Sequence, residues 1–94
     1  MDKRQLVQVA ARQSSLTRRQ LNEAVDVLFG VIADALVRGD SVIVRDFGRF
    51  TTQISPPYQI RLISTGAPHL VESRPLPVFR SSAALRRRLK EGES

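Results

Sequence analysis

The sequence predicts an α+β chain with the element order helix, helix, strand, strand, extended arm, strand, helix. Three observations predict it. Residues 2–38 place apolar side chains at three- and four-residue steps behind two capping boxes. Residues 41–79 change to β-branched and extended patterns broken by Gly and Pro turns. Residues 82–90 return to helical spacing.

The first helix is expected over residues 2–13. Asp2 can cap it, and Gln5 follows three residues on. Leu6, Val9 and Ala10 fall on one face. Ser14-Ser15-Leu16 reads as a turn. Thr17 and Gln20 form a second capping box that opens a longer helix. Its stripe is Leu21, Ala24, Val25, Leu28, Val31, Ile32, Ala35 and Leu36, and Gly39-Asp40 ends it, with Arg38 in its last turn. The two helices make a hairpin over residues 2–38. One short chain can cover only part of so broad a stripe, so a partner chain is expected to cover the rest.

Ser41–Arg45 and Arg49–Ile54 read as strands around an Asp46-Phe47-Gly48 turn. Pro56-Pro57 interrupts pairing. Ser64-Thr65-Gly66 is the next turn, and Leu70-Val71 and Pro75–Phe79 are the extended return, so sheet and arm occupy 41–79. Ser81 or Ser82 caps a last helix, with Leu85 and Leu89 four apart, within 82–90.

Composition narrows the function. The 94 residues suit one domain, 1–94. The net charge is +6, and residues 76–94 are the most basic by density, at net +3. With no cysteine and one histidine, His69, neither a disulfide framework nor a multi-histidine metal site is available within one chain. No apolar run is long enough to span a membrane, and the N-terminus leads into no apolar signal segment, so a cytoplasmic protein is expected. Asp46-Phe47-Gly48 spells a kinase metal-binding triplet, but the chain has no glycine-rich loop and no catalytic-loop motif. Asp46 is instead a turn residue, paired with Arg45 or Arg49. His69 reads as an exposed arm histidine. The serines at helix starts read as caps rather than nucleophiles. No enzyme, cofactor, metal or small-molecule substrate is expected.

The basic residues carry the signal. Thirteen of the fifteen are Arg, whose planar forks suit phosphate oxygens. Arg86, Arg87, Arg88 and Lys90 surround the last helix outside its Leu85/Leu89 face, either as a solvated face or as a phosphate-contacting flank. A basic amphipathic helix can also lie on an anionic membrane, but one with two leucines binds weakly.

Over residues 1–90 the chain resembles the HU/IHF family of bacterial nucleoid DNA-binding proteins. The carriers are Lys3, Leu6, Ala24-Val25-Asp26, Gly39-Asp40, Phe47-Gly48 with Phe50, and Arg61. Thr65-Gly66, Pro77, Phe79, Ala84-Leu85 and Leu89 continue the match. The resemblance implies the IHF-like DNA-binding fold. That fold is an intertwined dimer with a helical-hairpin base, a three-stranded antiparallel sheet, an extended β-arm and a C-terminal helix. The arms wrap the minor groove of double-stranded DNA and bend it. It implies a homodimer or heterodimer with Leu28, Ile32, Phe47, Phe50 and Phe79 in the dimer core. It also implies DNA contacts at Lys3, Arg18, Arg80 and Arg86, with Arg19, Arg87 and Arg88 beside them and Arg61 at the minor groove.

The arm departs from the family. Family arms carry several Arg and Lys and an Arg-Asn-Pro tip whose proline lies between base pairs. Here the tip is Arg61-Leu62-Ile63, and Gln53, Ser55 and Tyr58 stand at basic positions. The glycine before Phe-Gly is Asp46, and a position often Lys is Ala83. About three charges per arm are lost, each worth a salt slope of about 0.9. Ile63 can replace the proline as a wedge beside Leu62, the tip can contact protein, or the pair can pack on its own arm. The expected function is low-specificity binding and bending of duplex DNA. The alternative is a family member whose arms serve protein interaction.

Overall fold

The capping boxes form as the sequence requires. In the computed structural model, which describes residues 1–92, helix α1 runs Lys3–Arg12. The Asp2 carboxylate accepts from the Gln5 backbone N–H at 2.9 Å, and the Gln5 side chain accepts from the Asp2 N–H at 3.0 Å. Helix α2 runs Arg18–Val37 behind the same reciprocal pair between Thr17 and Gln20, at 2.9 and 3.1 Å. Each box satisfies backbone donors that a helix start leaves unpaired. Gly39, at φ 84°, donates to the Leu36 carbonyl at 3.0 Å and stops α2 in a left-handed turn. Arg38 lies just past the helix and bonds the Asp40 carboxylate at 3.5 Å.

The described chain divides into two compact units, one of residues 1–35 and one from Leu36 onward. In the first, α1 and α2 form the expected hairpin, tied by an ion pair between Lys3 and Asp26. The expected inner face of α1 is corrected. Val7 is buried at 5% exposure, Val9 and Ala10 are half-buried, and Leu6 is exposed. Val7 thus takes the buried place expected of Leu6, beside the half-buried Val9 and Ala10.

In the second unit, β1 (Val42–Val44), β2 (Gly48–Ile54) and β5 (Pro75–Ser81) form a three-stranded antiparallel sheet in the order β1-β2-β5. Strands β3 (Tyr58–Arg61) and β4 (Pro68–Val71) form the arm hairpin. Pro56-Pro57 separates β2 from β3, as expected. Ser55 bridges that gap, because its backbone N–H donates to the Arg74 carbonyl at 3.0 Å. Its hydroxyl accepts from the Arg74 N–H at 3.4 Å. Pro75 and Pro77 are tolerated because β5 is an edge strand and can forgo their N–H groups. Helix α3 runs Ala83–Gly92, and Ser82 rather than Ser81 caps it, accepting from the Leu85 N–H at 3.0 Å. The expected domain extends to Ser94; Glu93 and Ser94 lie outside the described residues.

Register gives this sheet two unlike faces. Phe50 opposes Phe79, and Val42 opposes Phe50 from the other side. At the alternate positions, Arg49 opposes Arg80, and Gln53 opposes Leu76. Because successive strand residues alternate, the phenylalanines and the arginines project to opposite faces.

Candidate nucleic-acid interface

The apolar side of the site comes first, because it decides what surface is free. Phe79 sits 5.1 Å from Phe50 and 5.4 Å from Phe47 between ring centroids, both tilted. Gly48 makes room for this cluster. A Cβ there would stand 2.5 Å from the Phe79 ring and 2.7 Å from the Arg80 carbonyl oxygen. Yet Phe79 remains 42% exposed, Phe47 is exposed and Phe50 is half-buried. On α2, Leu28 is 60% exposed and Ile32 half-buried. Among the described residues only Val7 and Ala35 are buried apolar side chains. All five residues expected at a dimer core thus leave apolar surface uncovered in one chain.

Every Arg and Lys of the described residues is exposed. In the first unit, Lys3, Arg18 and Arg19 line an open groove of about 560 Å³ on the hairpin. Arg4 and Asn22 join them there, and neither was singled out in the sequence. Asp2 also borders it, and Lys3 is partly neutralised by Asp26.

In the second unit, Arg80 donates to the Gln53 side-chain oxygen at 3.3 Å, which holds its guanidinium on the arginine face. A cavity of about 320 Å³ brings Arg80 together with Arg45 and Arg49. These two are further cations that sequence reasoning missed as site residues. Strand pairing sets Arg49 beside Arg80, and the β1–β2 turn brings Arg45 to the same cavity. Asp46 lies in the same cavity at φ 62°, in the left-handed region that glycine favours. The expected pairing of Asp46 with Arg45 or Arg49 is corrected. The ion pairs among the described residues are Lys3–Asp26 and Arg38–Asp40.

On α3, Arg86 folds back onto the helix start. Its guanidinium donates to the Ser81 carbonyl at 2.5 Å and the Ser81 hydroxyl at 3.2 Å. Arg88 borders a groove with Leu85 and Leu89, so it flanks the apolar face instead of avoiding it. Arg87 is exposed.

At the arm, Arg61 ends β3 opposite Pro68 and does not belong to the turn itself. The turn is closed by Leu62 donating to the Ala67 carbonyl at 2.9 Å and by Gly66, at φ 68°, donating to the Leu62 carbonyl at 2.7 Å. Ile63 stands at the apex with 104% exposure. Local packing of Ile63 on its own arm is thereby excluded. His69 is exposed opposite Ile60, as expected. No helix among the described residues is long and apolar enough to cross a membrane.

A family model described as bacterial DNA-binding protein matches residues 1–90. Among solved structures, an Anabaena HU–DNA cocrystal structure is similar at 24% identity and a TM-score of 0.88, over 95% of this chain and 97% of that one. A mutant HU from Thermotoga maritima is similar at 19% identity and a TM-score of 0.72, over 95% and 99% of the two chains. HU from Thermotoga maritima is similar at 19% identity and a TM-score of 0.67, over 95% and 98%. These structural likenesses carry the fold, and the family model carries the kinship. With its helical hairpin, three-stranded sheet, arm and C-terminal helix, this chain belongs to the bacterial DNA-binding protein family, the family of the HU proteins.

Proposed function

We propose that the protein is a dimeric architectural DNA-binding protein that binds and bends duplex DNA with little base specificity. The observation that carries this reading is the two-faced sheet of a chain that belongs to this family. Phe50 and Phe79 are on one face and Arg49 and Arg80 on the other. The apolar face suits a second copy of the chain, and the basic face suits phosphates. Cations on the hairpin (Lys3, Arg18, Arg19) and beside the last helix (Arg80, Arg86, Arg87, Arg88) would supply sequence-independent affinity. Arg61 would border the minor groove, and Ile63 would act as an apolar wedge that opens a base step. Bending would cost about 1–6 kcal/mol, offset by wrapped contacts. The chain would act as one domain, in the bacterial nucleoid. The reading needs no catalytic group and no cofactor.

A salt titration of affinity for a duplex of roughly 35 base pairs, intact and nicked, tests the reading. A steep slope with tighter binding to the nicked duplex is the expected result. A shallow slope without nick preference would sink arm-mediated wrapping.

A second reading rests on the arm tip. Leu62 and Ile63 are exposed and Arg61 is the only cation between Gln53 and Val71. On that reading the arms bind protein. Arg61→Ala combined with Ile63→Ser separates the two. Lost bending with an intact dimer fits the DNA-wrapping arm, whereas unchanged DNA behaviour with a lost protein partner fits the alternative.

A further inference from the structure

We propose that Arg45, Arg49 and Arg80 form a single phosphate site on the arginine face of the sheet, taking a backbone phosphodiester of duplex DNA. The inference rests on the DNA-binding reading above and adds Arg45 and Arg49 to it.

The first support is the register. Arg49 and Arg80 stand directly opposite one another on β2 and β5. Directly opposed like charges destabilise a sheet. Neither guanidinium has an ion-pair partner among the described residues. The acceptor that Arg80 does have, the Gln53 amide oxygen, is neutral, so it orients the guanidinium without cancelling its charge. An oxyanion seated between the two would turn a repulsive pair into an attractive trio.

The second support is the cavity. It draws Arg45, from the β1–β2 turn, to the same place as Arg49 and Arg80. Arg45 lies outside both strands, so register alone would not bring it there. Three guanidinium groups present several forked donors, a geometry that suits phosphate oxygens and that ammonium groups do not reproduce.

The third support is charge balance. The arm between Gln53 and Val71 holds one cation, Arg61. Duplex affinity that the arm does not supply must come from elsewhere, and the arginine face lies on the same unit as the arm. The affinity then comes from the sheet, close to the legs of the arm rather than along it.

The test compares wild type with Arg49→Gln and Arg45→Gln. Duplex affinity is titrated against salt, and the thermal midpoint without DNA is measured at low salt. Each variant should show a salt slope shallower by about one per protomer. Arg49→Gln should melt no lower than wild type, because it relieves the opposed charges. An unchanged slope in both variants, with steep binding by wild type, would overturn this site and leave the DNA reading standing. A wild type that does not bind the duplex would overturn the DNA reading itself. A third arm uses inorganic phosphate against chloride at matched ionic strength. If phosphate raises the wild-type midpoint but not that of Arg49→Gln, while the duplex slopes stay equal, the site takes free anions and the duplex assignment fails.

Discussion

Phe50 and Phe79 face each other across β2 and β5, with ring centroids 5.1 Å apart, and Phe79 reaches Phe47 as well. One ring therefore joins the strand pair to the β1–β2 turn. Phe79→Ala removes both contacts and leaves a void beside Gly48. In a dimer that seals this face, the expected loss is about 3–5 kcal/mol. Urea unfolding at two protein concentrations reads it. The wild-type midpoint should rise with concentration, as binding to a partner copy requires, and the variant's should fall and lose that dependence. A wild-type midpoint that ignores concentration would count against the dimer.

Asp46 holds a left-handed conformation without an ion pair to Arg45 or Arg49. A side chain there costs about 1–2 kcal/mol against glycine. Asp46→Gly should therefore raise the thermal midpoint. It also removes a carboxylate from the cavity of Arg45, Arg49 and Arg80, so duplex affinity should rise at low salt. A lower midpoint in calorimetry would show that Asp46 makes a stabilising contact in solution.

Lys3 is paired with Asp26, so on the DNA-binding reading a phosphate must compete with that carboxylate. Both side chains are about half exposed, at 51% and 54%, so their pair adds little stability. Asp26→Asn should leave the unfolding midpoint within about 1 kcal/mol of wild type. It should tighten duplex binding at low salt, with the gain fading as salt screens the freed charge. Equal affinities at low salt would place Lys3 outside the interface.

Arg86 and Arg87 are neighbours with different attachments. Arg86 is bonded to Ser81, and Arg87 has an exposed side chain. If both contact phosphates, Arg86→Ala and Arg87→Ala should each flatten the salt slope by about one per protomer. Only Arg86→Ala should also lower stability, by about 0.5–1.5 kcal/mol for the lost hydrogen bonds. Fluorescence-anisotropy titrations and thermal unfolding on the same samples separate the two effects.

Much of the fold was legible in the sequence. The capping boxes at Asp2/Gln5 and Thr17/Gln20, the Gly39 stop, the Pro56-Pro57 break and the Ser64-Thr65-Gly66 turn are all local. Each depends on atoms within about four residues, so residue type and spacing suffice. The joint spacing of Phe47-Gly48, Phe50 and Phe79 was enough to place the chain in its family. Lys3, Arg18, Arg80 and Arg86 were named from that resemblance, and the fold leaves all four exposed.

The tertiary structure decided the rest. Whether Val7 or Leu6 turns inward depends on where α2 lies against α1, and apolar spacing alone leaves that phase open by about one residue. The meeting of Arg49 and Arg80 depends on the register of β2 with β5. A one-residue slip there would exchange the phenylalanine and arginine faces. The sequence by itself determined which segments are helix, strand and turn, because those preferences are short-range. Which side chains share a face was settled only when distant strands paired, because that choice belongs to contacts far apart in the chain.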